Sequence, residues 1–171
     1  LVILNTDIWP GDGYGYPYLY GQLLNANGSL NGSMFYISYG GFEFYHHTDV
    51  DYNPNTGEWL IAYATSSNTM YISKINASGN VTYSEKVEEL TSTYDIANIE
   101  VSYNAYANEW FVVYLEDTSG DYSHLWNIYI DKVNSSGNKT AKKTIEFTPS
   151  IYEQSPAIAC ASDGDCLVVW H

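Results

Sequence analysis

The chain of 171 residues is long enough to form one domain with a substantial core, and it is acidic, with 20 Asp and Glu against 6 Lys and Arg. All six cationic side chains are lysines, which excludes any site that needs a bidentate guanidinium clamp on a carboxylate or phosphate. The net charge of −14 predicts no nucleic-acid partner, and no apolar run approaches the roughly 20 residues of a membrane span.

The first predicted element is the apolar run LVIL at 1–4, which precedes a loop rich in tyrosine, glycine and proline at 5–21. Such a loop can cover its own sheet, contact a neighbouring subunit or stack its rings on sugars, and the sequence leaves these three roles open. The aromatic residues that could make such contacts are Trp9, Tyr14, Tyr16 and Tyr18.

Two longer units follow in chain order. The first reads DVDYNPNTGEWLIAYA at 49–64 and TMYISKINASGNVTYSEKVEEL at 69–90. The second repeats that order as IEVSYNAYANEWFVVYLED at 99–117 and LWNIYIDKVNSSGNKTAKKTIEF at 125–147. Runs rich in Val, Ile and Tyr, separated by Asn, Gly, Pro and Asp, predict strands joined by tight turns. The second strand of each unit is apolar on both faces, which predicts burial on both sides.

Two sets of landmarks show that these units repeat. The last residues of the apolar runs are spaced 59, 51 and 56 apart: Leu4, Tyr63, Tyr114 and Trp170. The turn glycines Gly28, Gly79 and Gly137 are spaced 51 and 58 apart. A four-stranded meander of about 50 residues is the size of one β-propeller blade, whereas a β-sandwich has no reason to repeat its turns at this interval.

We therefore predict an all-β fold of propeller-type, four-stranded antiparallel blades. The expected limits within a single repeat domain 1–171 are a partial blade 1–38, blades 49–90 and 98–147, and a partial blade 156–171. This is about three blades' worth of chain, whereas closed propellers need about 4–8 blades. We expect either a segment of a longer protein or several chains that complete each other's sheets.

Two stretches carry a resemblance to a known group of proteins: YLYGQLLNANGSL at 18–30 and NPNTGEWLIAY at 53–63. They resemble the blade repeat of secreted bacterial and archaeal propeller proteins, most of which are uncharacterised. The resemblance spans nearly the whole chain, although the copy at 149–171 stops after its second strand. It implies a propeller fold and a secreted or surface location, and it implies no activity.

Glycosylation is predicted from Asn-x-Ser/Thr motifs that recur in the equivalent turn of each unit. Hairpin turns favour Asn and Ser in any case, but chance predicts only about two or three such motifs in a chain of this composition. We expect at least two to carry glycans, with Asn80 and Asn138 favoured. The candidate positions are Asn27, Asn31, Asn76, Asn80, Asn134 and Asn138.

The two cysteines, Cys160 and Cys166, flank the turn sequence ASDGD. Cross-strand partners beside a short hairpin turn come within disulfide range, so we predict a disulfide over two free thiols, and with it an oxidising, extracellular location. Their spacing matches no common zinc motif.

Acidic side chains recur in three predicted loops: Glu116, Asp117 and Asp121; Asp163 and Asp165; and Asp7 and Asp12. None has the spacing of a calcium loop, so we interpret them as solvated. The histidines are scattered over different units: His46, His47, His124 and His171. We therefore predict no metal site and no cofactor.

No pair of carboxylates stands out for glycoside hydrolysis, and no nucleophile elbow or phosphate loop is present. We predict no catalytic residue and no enzymatic activity. The favoured function is an extracellular or cell-surface assembly module, of surface-layer or filament type, that pairs strands with neighbouring copies. The alternative is a carbohydrate-binding module that uses the tyrosine-rich loop 9–20, and a glycoside-processing enzyme is the third hypothesis.

Overall fold

A computed structural model describes residues 2–8, 16–39, 47–66, 69–89, 96–117, 125–146 and 154–171. Every regular element in these ranges is a β-strand, and they hold no helix that could span a membrane. The strands are β1 Val2–Ile8, β2 Tyr16–Leu24, β3 Leu30–Tyr39, β4 Thr48–Asn53, β5 Glu58–Ser66, β6 Thr69–Ile75, β7 Val81–Glu89, β8 Ile96–Asn104, β9 Glu109–Asp117, β10 Trp126–Asn134, β11 Lys139–Glu146, β12 Ala157–Cys160 and β13 Cys166–Val169.

The described strands form four antiparallel sheets in which neighbours along the chain are neighbours in the sheet. Sheet I has the order β1-β2-β3, sheet II β4-β5-β6-β7, sheet III β8-β9-β10-β11 and sheet IV β12-β13. This architecture confirms the predicted all-β fold with four-stranded antiparallel sheets. The blade limits drawn from the sequence remain predictions.

The sheets repeat at the level of single residues. Tyr63 of β5 lies opposite Tyr71 of β6, and Tyr114 of β9 lies opposite Tyr129 of β10. Both second strands are buried, as their continuous apolar runs predict, because a sheet packs on each of their faces. The period seen in the sequence is therefore a period in strand register.

The recurring glycine turn has a conformational and a steric cause. Gly28, Gly79 and Gly137 have φ values of 82°, 81° and 96°, a region that side chains rarely adopt. A Cβ atom on Gly79 would also lie 2.9 Å from a ring carbon of Phe35, and one on Gly137 would lie 2.6 Å from a ring carbon of Tyr83. In sheets II and III, an aromatic side chain of the preceding sheet rests on the turn glycine.

The core lies between successive sheets, which stack face to face. We call the face of a sheet that lies toward the preceding sheet its front face, and the opposite face its back face. In sheet I, the front face is the one that points away from sheet II. The contact of sheets I and II joins Leu19 and Ile37 to the front-face residues Ile61 and Ile75. The contact of sheets II and III forms the largest apolar cluster, and Val168 of sheet IV packs with Val113 of sheet III.

The first strands of sheets II, III and IV lie side by side, which brings their beginnings together. Asp49 Oδ2 accepts a hydrogen bond of 2.7 Å from the Val101 amide, and Asp51 Oδ2 accepts one of 2.7 Å from the Tyr103 amide. One sheet further on, Ser102 Oγ accepts a hydrogen bond of 3.1 Å from the Cys160 amide. The donating amides lie on β8 and β12, which are edge strands, so no strand of the same sheet pairs with them on that side. The side chains of the preceding sheet accept their hydrogen bonds instead.

Candidate functional site

A cavity of about 410 Å³ opens where these three first strands begin. Its walls come from the starts of β4 and β8 and from the residues that lead into β12. Three lining residues occupy corresponding positions in the three units: His47, Asn98 and Ser155. Each lies two residues before another set of corresponding positions, which holds Asp49, Glu100 and Ala157. The cavity is thus a product of the repeat, with a different side chain from each unit.

The backbone of two wall residues adopts an unusual conformation. Asn98 has a φ of 46° and Ser155 a φ of 49°, both in the left-handed region. The pairing of β8 with β9 also shifts register between Ala97 and Glu100. Left-handed non-glycine residues cost about 1–3 kcal/mol each and concentrate at functional sites, while bulges re-aim side chains. Both features lie at the cavity wall.

Glu100 lines this wall, and the nearby Asp49, which follows the lining residue Thr48, affects its ionisation. Burial raises the pKa of Glu100, and the nearby charge of Asp49 raises it further. Burial also raises the pKa of Asp49, against the opposing effect of hydrogen bonds from the Val101 and Val50 amides. Burial thus favours the protonated form of both carboxyl groups, and at Asp49 the two amide hydrogen bonds oppose that effect.

A second ionisable cluster lies between sheets II and III. Lys139 Nζ is 2.5 Å from Glu88 Oε2 and 2.9 Å from Asp131 Oδ2, and Asp131 is fully buried. Burial raises the pKa of Asp131 to about 6, although Lys139 opposes this shift. Lys142 Nζ lies 2.6 Å from Glu116 Oε2, and the Tyr129 ring covers it. The cluster joins side chains of sheets II and III, and Lys139 and Lys142 remain partly exposed, so we assign it to sheet packing.

Tyr18, one of the aromatic residues predicted as a contact site, does not line the cavity. Tyr18 lies on the front face of sheet I, where its ring centroid is 6.0 Å from that of Tyr20 and 6.2 Å from that of Tyr36. Trp9 and Tyr14 lie outside the described residues, and the structure describes the backbone of Tyr16 but not its side chain.

The predicted cysteine pair is a disulfide in the structure. Cys160 and Cys166 face each other in the register of β12 and β13, and their Cα atoms are 4.0 Å apart. The hairpin signal in the sequence was sufficient to find this bond.

The sequon residues divide into two groups. Asn76 Oδ1 accepts a 3.0 Å hydrogen bond from the Asn80 amide, and Asn134 Oδ1 accepts one of 3.0 Å from the Asn138 amide. Asn76 and Asn134 are half-buried caps of their own turns. The remaining four side chains are exposed: Asn27, Asn31, Asn80 and Asn138.

Three of the acidic residues assigned to loops lie in strands instead: Asp7 in β1, and Glu116 and Asp117 in β9. Glu116 and Asp117 are buried in β9, because their strand continues further than the apolar run WFVVY indicates. Asp163 and Asp165 are exposed in the β12–β13 turn, as expected. Asp12, Asp121, His46 and His124 lie outside the described residues, as does the side chain of Asp7. Within the described ranges, no three His, Cys, Asp or Glu residues form a group that could hold a metal ion.

Sequence reasoning missed Asp49 and Glu100 because the sequence offers 20 acidic residues and no distances. One signal was available. The two acids occupy the same place in successive repeats, four residues before Asn53 and Asn104 respectively. Alignment of the two units would have placed both at the start of a first strand.

No protein-family model matches the sequence, and no curated protein matches it. Among solved structures, an α-L-arabinanase of Penicillium chrysogenum complexed with arabinobiose is similar, with a TM-score of 0.55 and 15% identity. The match covers 98% of this chain and 52% of that chain, so this chain spans about half the length of the arabinanase. The arabinanase is a β-propeller, and at this identity the likeness shows the fold alone.

This comparison contradicts one prediction. We expected no enzymatic activity, whereas the arabinanase that shares the fold is a glycoside hydrolase. The prediction was wrong because it required a recognisable acid pair in the sequence, and such pairs are defined by spatial separation. The resemblance to blade repeats is supported at the level of the propeller fold.

Proposed function

We propose that the cavity binds a sugar chain and that Glu100 and Asp49 act on its glycosidic bond. The observation that carries this proposal is the convergence of three first strands on one cavity, with Glu100 in its wall and the charge of Asp49, next to the lining residue Thr48, close enough to raise the pKa of Glu100. The arabinobiose bound by the similar arabinanase makes a short oligosaccharide the first ligand to test.

We assign different roles to the two acids, one as the proton donor and the other as the base. Glu100 lines the cavity and is the proposed proton donor to the leaving glycosidic oxygen, and the burial that raises its pKa favours the protonated form that this role needs. Asp49 is held by the Val101 amide at 2.7 Å, and its carboxylate removes a proton from the water whose oxygen attacks the anomeric carbon. The bond to the leaving oxygen breaks, the bond to water forms, and both carboxyl groups recover their protonation states by exchange with solvent.

The test is oligosaccharide binding and hydrolysis by the full chain, measured by titration calorimetry and by release of reducing ends. Glu100→Gln should lower the hydrolysis rate by about 10²–10⁴-fold while binding persists. Asp163→Asn, in the exposed β12–β13 turn, is the matched control and should leave both unchanged. If Glu100→Gln hydrolyses at the wild-type rate, the assignment of the proton donor is wrong.

A second candidate function is assembly into a larger array outside the cell. Apolar side chains are exposed on sheet IV, and the disulfide is compatible with an extracellular location. The exposed sequon residues in the glycine turns support glycosylation, with Asn80 and Asn138 favoured. Intact-mass measurement of native material tests this part: a mass above 19.2 kDa by whole sugar increments is expected. An unmodified mass contradicts glycosylation.

A further inference from the structure

We propose that the front face of sheet I and the back face of sheet IV are the two halves of one interface, which joins two copies of this chain head to tail. The inference rests on the assembly role proposed above and names the partner and the contact. It differs from the strand-edge pairing expected from the sequence, because the sheets meet face to face.

The back face of sheet IV carries the first half. One position of the second strand is shared by Leu60 in sheet II, Phe111 in sheet III and Leu167 in sheet IV. Each of these residues stands three positions before the last residue of its apolar run. Leu60 packs against the next sheet and Phe111 is buried, whereas Leu167 is 68% exposed. Val169, two residues on, is 51% exposed.

The front face of sheet I carries the second half. Leu24, Ile75 and Val133 each stand four residues before their turn glycine. Ile75 and Val133 are fully buried by the preceding sheet, whereas Leu24 is 38% exposed. Tyr20 likewise corresponds to Tyr71 and Tyr129, which pack into the sheet contacts. The two exposed faces therefore carry the same types of side chain as the faces that pack against each other between successive sheets.

The two faces also offer the kinds of side chain that meet between sheets II and III. In the contact of sheets II and III, the Tyr114 ring of the front face packs in one cluster with Ala62 and Ala64 of the back face. Sheet IV offers the same kind of surface, because Ala159 and Leu167 line a groove of about 370 Å³. Sheet I offers the rings, with Tyr20 and Tyr36 in edge contact on its front face.

A second copy is the occupant that the repeat itself indicates. Sheet I stacks on sheet II, II on III and III on IV in the same order and with corresponding residues. Sheet I of a second copy continues this stacking on sheet IV. Such a contact joins different surfaces of the two copies, so it builds a ring where the rotation closes and an open array where it does not.

The experiment blocks each face separately in the full chain. Leu24→Asp removes the front face and Leu167→Asp removes the back face, and both positions are exposed, so circular dichroism and thermal midpoint should remain unchanged. Ala105→Asp, at an exposed turn position on neither face, adds the same charge as a control. The net charge of −14 opposes association, so sedimentation is measured at an ionic strength of about 0.15 M or above.

The expected wild-type mass rises with protein concentration, as does that of the Ala105→Asp control, and each single variant stays at the mass of one chain. An equimolar mixture of the two variants should reach twice the chain mass and stop there, because only one intact front face meets one intact back face. A wild-type chain that remains monomeric overturns the assembly role and this interface. Association that persists in both variants, or that fails in their mixture, overturns the interface and leaves the assembly role standing.

Discussion

Sheets II and III place different chemistry on the same backbone positions. In sheet II, the Tyr63 hydroxyl lies 3.1 Å from Ser73 Oγ, which donates a 3.0 Å hydrogen bond to Ser84 Oγ. In sheet III, the corresponding positions of Ser73 and Ser84 are occupied by Asp131 and Lys142, which also face each other in register. Sheet III thus has an ion network at the positions where sheet II has a chain of neutral hydroxyl groups.

The difference shows that the same position of the repeat can hold either a neutral hydroxyl or a charged side chain. The hydroxyl chain is satisfied within its own sheet, whereas the lysines of sheet III pair both with carboxylates of their own sheet and with one of the sheet before it. Lys139 and Lys142 both reach Glu88 of β7, at 2.5 and 3.4 Å. Burial favours the neutral form of Lys142, yet Glu116, Glu88 and Asp131 together raise its pKa. The ion network thus ties sheet III to sheet II, which the hydroxyl chain cannot do.

The largest expected effect comes from removing one ion of this network. Lys139→Met leaves the fully buried Asp131 without its nearest cation, and such unpaired buried charges cost about 3–5 kcal/mol. Denaturant unfolding should show this loss, whereas Lys143→Met on the exposed side of β11 should change stability by less than about 0.5 kcal/mol. Equal losses in the two variants would show that the ion network does not hold the sheets together.

The second prediction concerns pH. The pKa of Asp131 is about 6 in the folded chain and 3.8 as its ordinary value, so the folded state holds the proton more tightly. The stability that this group contributes is complete below about pH 4 and is lost as the pH rises through 6, by about 3 kcal/mol in total.

The matched variant gives sheet III the chemistry of sheet II. Asp131→Ser combined with Lys142→Ser should remove this pH dependence while unfolding remains cooperative. Thermal midpoints measured from pH 4 to 7 provide the comparison. A double variant with the same slope as the wild type would assign the pH dependence to other groups.

A smaller effect is expected at the turn glycines. Gly137→Ala meets both the left-handed backbone cost and the Tyr83 ring, so it should destabilise the chain by about 2 kcal/mol. Gly28→Ala has the same backbone cost with nothing within 4 Å, and about 1 kcal/mol is expected. Urea midpoints of the two variants separate the steric cost from the conformational one, and identical losses would remove the role of the Tyr83 ring.

The smallest effect distinguishes the two hydroxyl environments. Tyr63→Phe removes a neutral hydrogen bond to Ser73 and should cost about 1 kcal/mol. Tyr114→Phe removes a hydroxyl that lies 3.5 Å from Glu88 Oε2 in the ion network, and about 1.5 kcal/mol is expected because the acceptor is charged but the separation is long. A larger loss for Tyr63→Phe would reverse the comparison between the sheets.

The sequence by itself determined the repeat, the strand order and the turns, because each depends on local properties. Alternating and continuous apolar runs set which faces are buried, and Gly79 and Gly137 mark backbone that only glycine adopts easily. The disulfide of Cys160 and Cys166 followed from the same local logic, since a short hairpin brings its flanking residues together.

Only the tertiary structure decided which acidic residues are buried or lie close together. Glu100 and Asp49 are separated by a whole repeat along the chain, and they meet because the first strands of successive sheets lie side by side. Glu116 was expected in a solvated loop, yet it is buried beside Lys142, which another strand supplies. A carboxyl pKa depends on burial and on neighbouring charges, and the stacking of sheets sets both.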